Sequence, residues 1–182
     1  IFCHMPGIKV LYPAFPSDAR GLLHSGVTDP NPVIYLENKY LYRHVKELVP
    51  DKFEPIPIGV ARICRPGKDA VIITYGAMVH ESLKAAEQAV NHDHDVMVMD
   101  LRTLKPYDAD AIIGAVAATN RVLVVHEGWR SCGFGAELAA MIVERGFHLL
   151  DAPIYRVTAP DSPVPFAPEL EDAYRPNHNK IL

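Results

Sequence analysis

Residues Val124–Leu138, VVHEGWRSCGFGAEL, gather several groups that could do chemistry. His126 and Glu127 end an apolar run, Trp129, Arg130 and Cys132 follow, and Gly133 and Gly135 lead into a helical pattern. A strand that turns through Gly-x-Gly into a helix is the usual entrance to a dinucleotide site, where glycines admit a pyrophosphate to the helix N-terminus. The rest of that fingerprint is missing. Leu138 takes the third glycine position, and the candidate ribose-binding acid, Asp151, lies 16 residues past Gly135 and ahead of the next strand. The turn is therefore expected to pack, its glycines bringing helix and sheet together with no Cβ between them. His126 and Glu127 stand where α/β sheets meet ligands, and read best as a satisfied structural pair. Trp129 with Arg130, placed on a loop, is a typical interface anchor. Cys132 beside a helix N-terminus is a place for an activated thiol, though a small turn residue is the simpler expectation.

Other candidates are plainer. His92 and His94 in NHDHD read as a solvated turn, and His80 with Glu81 as a solvated first helical turn. The chain has no P-loop, no G-x-S-x-G and no H-E-x-x-H. GVTDPNP, Gly26–Pro32, ends a helix in an Asx-rich turn. Such a turn can aim carbonyl oxygens, the Asp29 carboxylate and the Asn31 amide oxygen at one hard cation. On spacing alone, an Asp-Pro-Asn turn that satisfies its own backbone is the better account.

The elements that must position these groups form two series. IKVLYP is a short strand, and PSDARGLLHSGVTD places Ala19, Leu22, Leu23 and Val27 at helical spacing, with Ser17 or Asp18 as a capping candidate. PVIYLE follows as an apolar strand suited to burial on both faces. This is a parallel β-α-β unit. Asn38–Pro57 mixes charges and aromatics with Pro50, Pro55 and Pro57, and reads as a linker. GVARICR through PGKD into AVIITYG suggests a hairpin-like start to a second series. A helix at AMVHESLKAAEQAV, a strand at DVMVMDLRT, a helix at DADAIIGAVAAT, a strand at RVLVVHE, a helix at GFGAELAAMIVERG and a strand at IYRVTA then alternate. That pattern predicts a three-layer α/β sandwich around a mostly parallel sheet. The proline-rich tail from Pro160 is expected to drape over the surface.

Composition sets bounds. The 182 residues suit one good-sized domain, or one small domain with part of another. Net charge is -4, from 18 basic and 22 acidic residues with no basic stripe, which argues against a nucleic-acid partner. The three cysteines include no C-x-x-C pair, which argues against a disulfide framework or a zinc site and suits a reducing compartment. No apolar run approaches the ~18 residues of a membrane span. No signal peptide is evident, and the start at IFCHMPGIKV reads as a fragment of a longer protein.

Six blocks, in order, resemble a known family. HMPGIKVLYPAFPSDARGLL, DPNPVIYLENKYLYR, VIITYGAMVHESLKAAE, VMDLRTLKPYD, VVHEGWRSCGFGAEL and LDAPIYRVTAPDSPVPFAPELED look like the β subunit of the thiamine-diphosphate-dependent E1 component of 2-oxo acid dehydrogenase complexes. The resemblance implies that residues 1–57 are the end of a pyrimidine-binding α/β domain plus linker. Residues 58–182 would be a transketolase-type C-terminal domain. The implied enzyme is an α2β2 heterotetramer that holds thiamine diphosphate and Mg2+ at each α/β interface. It decarboxylates a 2-oxo acid and passes the acyl group to the lipoyl group of E2.

The family's activating glutamate and active-site histidine belong to sequence upstream of Ile1, so His4 is not that histidine, and its diphosphate and magnesium ligands belong to the α subunit. No catalytic or cofactor-binding residue is therefore assigned to this chain. A structural potassium ion maps onto the carbonyls of Gly26 and Val27 and the side chains of Asp29 and Asn31, with Pro30 a departure that leaves the donors in place. For the second domain the resemblance implies contact with the E1 α subunit, a second β subunit and the peripheral subunit-binding domain of E2. Trp129, Arg130 and the tail are the interface candidates. The implied location is bacterial cytoplasm or mitochondrial matrix. The tail resembles pyruvate and acetoin members while ENKYLYR resembles branched-chain ones, so substrate stays open. Another transketolase-like enzyme, such as a 1-deoxyxylulose-5-phosphate synthase, is the alternative.

Overall fold

The computed structural model describes residues 1–48, 51–52 and 54–182. Val49, Pro50 and Phe53, and with them part of the expected linker, lie outside the described residues. Strand β1 (Lys9–Leu11), helix α1 (Pro16–Thr28) and strand β2 (Val33–Tyr35) make the expected unit, with β2 parallel to β1. The strand β2 is half-buried at every position, not sunk on both faces as its composition suggested. Among the described residues it is an edge strand, in a three-stranded sheet of order β2-β1-β6.

Neither Ser17 nor Asp18 caps α1. Pro16, which has no N–H to lose, opens the helix after an extended Phe15. Both capping candidates therefore already lie inside the first turn. The Ser17 amide donates to the Glu47 carboxylate at 2.9 Å, and Asp18 turns inward. The buried side of α1 is Asp18, Gly21 and Leu22, whereas Leu23 and Val27, expected on that face, are exposed. A short helix, α2 (Leu41–His44), falls within the expected linker.

The rest of the chain contributes β3 (Arg62–Arg65), β4 (Ala70–Thr74), α3 (Met78–Ala89), β5 (Val96–Asp100), β6 (Thr103–Lys105), α4 (Ala109–Thr119), β7 (Val122–Trp129), α5 (Phe134–Gly146), β8 (Tyr155–Ala159), α6 (Pro168–Tyr174) and α7 (His178–Ile181). Five of these strands form a sheet of order β3-β5-β4-β7-β8, parallel except for β3. Alternation along the strands builds three layers. Val71, Ile73, Met97, Met99, Val122 and Val124 pack against Ile112 and Val116 of α4 and Leu138 and Ile142 of α5. Ile72, Val98, Val125 and Val157 pack against α3 and Ile181 of α7. Each fully buried Val, Leu or Ile contributes about 1.5–3 kcal/mol. A strand covered on both faces must be largely apolar, as Val71, Ile72 and Ile73 of β4 are, with polar Thr74 at its carboxyl end.

Two expectations about strands are corrected. β3 does not form a hairpin with β4; it pairs antiparallel with β5, which lies between them. Apolar β4 takes the centre, while RICR, with two arginines, suits the edge. Gly67 carries the connection across β5 so closely that a Cβ there would lie 2.3 Å from the Met97 nitrogen. The expected strand through DVMVMDLRT is two strands in two sheets. The chain leaves β5 at Asp100, turns at Arg102 (φ 56°), and continues as β6, antiparallel to β1. The Asp100 carboxylate fixes that turn by accepting the Arg102 amide at 2.9 Å. The second series thus supplies an edge strand to the sheet of the first. The tail does more than drape: α7 packs on α3, and Ile181 is buried.

Candidate functional site

The longest strand, β7, carries His126 and Glu127 to the carboxyl edge of the five-stranded sheet. Strand alternation sends them apart. His126 is 1% exposed. Its ring lies parallel to that of Tyr75, with centroids 6.1 Å apart, and faces the glycine turn. A Cβ on Gly135 would lie 2.5 Å from its Nε2, and one on Gly133 would lie 2.7 Å from its Cε1. Gly135 therefore makes room for the imidazole, and Gly133 for both the imidazole and the Trp129 carbonyl oxygen, which a Cβ would approach to 2.1 Å; the expected packing turn is what the chain builds. Neither ring nitrogen has a hydrogen-bond partner among the described residues. Burial, with the charge of Arg156 second, pulls the imidazole down to about 4, so it is neutral at pH 7.

Glu127 points the other way and accepts from Asn38 Nδ2 at 2.8 Å and from the Tyr12 hydroxyl at 3.4 Å. Burial raises its carboxyl above the ordinary range, against the pull of the Tyr12 hydrogen bond, the charge of Arg175 and the Asn38 hydrogen bond. Burial first, and Glu127 second, push the Tyr12 phenol up to about 12. The expectation of a satisfied His-Glu pair is corrected by half: Glu127 is satisfied, His126 is not. Two residues of the first segment, Tyr12 and Asn38, complete a site whose other half lies 89 or more positions away.

A second cluster joins the same segments. Asp18, 3% exposed, accepts from Arg62 at 3.0 Å and from Arg102 at 3.2 Å. Arg102 also donates to the carbonyls of Val60 and Ala61. Asp100, wholly buried beside them, is pushed up to about 7 by burial, against the pull of the Arg102 amide. Burial and then Asp100 raise the Cys64 thiol to about 12. Sequence reasoning missed this cluster, because an Asp in a first helical turn and an Arg after a strand carry no local sign of their meeting.

The candidate cation turn follows α1. The last-turn carbonyls, Gly26 and Val27 among them, have no following helical amide to accept from, and a helix C-terminus favours positive charge. Asp29, however, is already engaged: Lys9 Nζ pairs with Oδ2, and the Asn31 amide and Nδ2 donate to Oδ1 at 2.9 and 3.0 Å. The Lys9 hydrogen bond, then those of Asn31, hold its carboxyl down to about 2.

Trp129 is not on a loop; it pairs with Ala159 at the end of β7. Its indole is 53% exposed, and its Nε1 donates to the Ser162 carbonyl at 2.9 Å. Arg130 and Arg156 each donate to the other's carbonyl, at 3.1 and 3.0 Å. Ser131 binds Asp161 through its amide and hydroxyl, and the Tyr174 hydroxyl donates to Ser162. These bonds fasten the start of the tail to β7 and leave Trp129, Val164, Phe166 and Leu170 exposed.

Residues 59–181 match the family model for the transketolase C-terminal domain. The chain belongs to that family. It is also similar along its whole length to curated proteins named pyruvate dehydrogenase E1 component subunit beta. It is 42% identical over 181 residues to that of Rickettsia felis, 44% over 182 to that of Bacillus subtilis, and 45% over 182 to those of Staphylococcus aureus strains. The chain spans about half the length of these relatives, 55–56%. Among solved structures, a split-gene transketolase, described as an inactive beta4 tetramer, superposes with a TM-score of 0.80 over 99% of this chain and 56% of its own. At 20% identity that likeness speaks for the fold alone.

The remaining candidates fall outside any shared site. His92 and His94 are exposed beside α3, as expected of a solvated turn. His80 and Glu81 are not a solvated turn. His80 Nε2 bonds to the Ala14 carbonyl at 2.8 Å, and Glu81 takes the His178 amide and Nδ1 at 3.0 and 2.8 Å, tying α7 to α3. Burial opposes the Glu81 charge, but hydrogen bonds from Lys84 and His178 outweigh it and bring the carboxyl down to about 2. Cys132 is exposed at φ 55°. Among the described residues, no three His, Cys, Asp or Glu side chains converge as a metal site, and no helix is long and apolar enough to cross a membrane.

Proposed function

We propose that this chain is the C-terminal part of the β subunit of a 2-oxo acid dehydrogenase E1 component of the pyruvate type. The supporting observation is identity of 42–45% over 181–182 residues, which takes in both segments. Residues 1–57 are then the end of a pyrimidine-binding domain with its linker, and residues 58–182 the transketolase-type domain; the family match over 59–181 supports the second assignment. The enzyme assembles with an E1 α subunit and a second β subunit in the bacterial cytoplasm or the mitochondrial matrix. It decarboxylates a 2-oxo acid and hands the acyl group to lipoyl-E2.

Thiamine diphosphate and its Mg2+ lie outside this chain on this proposal. The residues present do not fit a diphosphate: the turn best placed to cradle one is filled by the His126 ring. The part played here is assembly, with Trp129, Arg130 and the exposed apolar tail as the faces for partner subunits and E2. Co-expression of the full-length β chain with its α partner, supplied with thiamine diphosphate, should give activity on pyruvate above that on branched-chain 2-oxo acids. The reverse preference makes it a branched-chain member, and activity on neither refutes the proposal.

The Gly26, Val27, Asp29 and Asn31 turn is proposed as a potassium site in which the ion competes with Lys9 for Asp29. Its oxygen-only donors fit a hard cation. KCl should then raise the melting temperature more than NaCl at equal ionic strength, and more strongly in Lys9→Met. Equal effects of the two salts would exclude it.

A further inference from the structure

Thr74, Ser82 and Asp100 are each 0% exposed. Thr74 Oγ1, Ser82 Oγ and Asp100 Oδ2 have no hydrogen-bond partner among the described residues. Native proteins rarely leave buried polar atoms unpaired, so three of them in one neighbourhood call for a common explanation. Thr74 and Asp100 stand directly opposite each other on the parallel strands β4 and β5. Their side chains leave the same face, about 5 Å apart. That face lies under α3, because Ile72 and Val98, two residues back on each strand, pack against Met78, Ala85 and Ala86. Ser82 belongs to the same buried side of α3. The helix begins four residues after β4 ends, so Ser82 stands about 6 Å along it and over the same strand ends.

We propose that Thr74 Oγ1, Ser82 Oγ and Asp100 Oδ2 bind one buried water molecule, which joins α3 to the carboxyl ends of β4 and β5. Three partners are the usual complement of a buried water. It accepts a hydrogen bond from one hydroxyl and donates to the other hydroxyl and to the carboxylate. If Asp100 is protonated, the water accepts from it and donates to both hydroxyls, so the site serves either state. A hard cation needs about six oxygens, and three leave its shell half-built.

The site matters because of what holds the other Asp100 oxygen. Oδ1 accepts the Arg102 amide and sets the turn that carries the chain from β5 into β6. The charged and titratable groups facing Asp100 are Asp18 from α1, Arg62 and Cys64 from β3, and Arg102 from the turn itself. The water thus holds the carboxylate in the orientation that joins the five-stranded sheet to the three-stranded one.

The test is a crystal structure of the full-length protein at a resolution that shows ordered water, together with amide exchange in Thr74→Val/Ser82→Ala. One density peak within hydrogen-bond distance of all three oxygens supports the proposal. Direct side-chain hydrogen bonds with no peak, or an anomalous signal from a metal ion, overturn it. In the double variant the peak should vanish, and the Arg102 amide should exchange about tenfold faster, the equivalent of one lost hydrogen bond. Unchanged Arg102 exchange overturns the claim that the water steadies the turn. If the double variant does not fold, the native crystal structure still decides.

Discussion

Gly135→Ala tests whether the glycine turn exists for His126. The new Cβ would stand 2.5 Å from His126 Nε2, 2.6 Å from its Cδ2 and 3.1 Å from Val124 Cγ1. The ring has little room to retreat, because Tyr75 stacks alongside it and Gly133 approaches its Cε1. Overpacking of a filled core costs about 1–3 kcal/mol. Replacing a helical glycine by alanine returns about 0.5–1 kcal/mol through the unfolded chain. The net loss should be about 1–2 kcal/mol, read as a lower urea midpoint for the full-length chain. The decisive arm is a double-mutant cycle with His126→Ala. Removing the ring leaves a cavity and is itself destabilising, but it also removes the obstacle, so Gly135→Ala should be neutral or stabilising in that background. A coupling energy of at least about 1 kcal/mol is expected for residues in contact. The same loss in both backgrounds would refute the reasoning and return the glycines to another purpose.

His126 also makes stability depend on pH. Its folded value of about 4 lies below the ordinary 6.5, so the neutral ring stabilises fully above about 6.5 and that stability is lost as pH falls through about 4. The gap corresponds to about 3 kcal/mol; urea melts from pH 7 to pH 4 should be distinctly flatter in His126→Phe. Gly67→Ala should cost more than about 2 kcal/mol, because its Cβ would meet the backbone of Val96 and Met97, which cannot swing aside. Denaturation in urea checks it, and a neutral result would mean that β3 is not connected across β5. Arg102→Leu should destabilise by about 1.5–3 kcal/mol, because buried Asp18 keeps only Arg62 as its partner, and more than Arg62→Leu. The Arg102 side chain is 12% exposed against 37% for Arg62, and it also satisfies two carbonyls. Equal losses would show that the two arginines share the load.

Element type was legible wherever a local rule governed it. The helix read at DADAIIGAVAAT formed as α4, and Asp108 caps it by accepting the Ala111 amide at 3.1 Å. The apolar runs AVII and VLVV became central strands because strands covered on both faces must be largely apolar. The Gly-x-Gly turn was legible too, since its fingerprint failed at Leu138. The cap of α1 was not: Pro16 sets where the helix begins, and Ser17 and Asp18 fall inside it. DVMVMDLRT showed no break because nothing in its pattern reports that Asp100 will hold the Arg102 amide and divert the chain.

From residue order alone came the alternation of apolar strands and helices, and the blocks that tie the chain to its relatives, because both depend on periodicity and on neighbours in sequence. Only the folded chain decided which charges meet. Asp18 lies 84 positions from Arg102, and Asn38 lies 89 from Glu127. Pairing across such distances is fixed by the packing of α1 and β1 against the second sheet. A buried charge must find its partner in space, and no local propensity records where that partner will be.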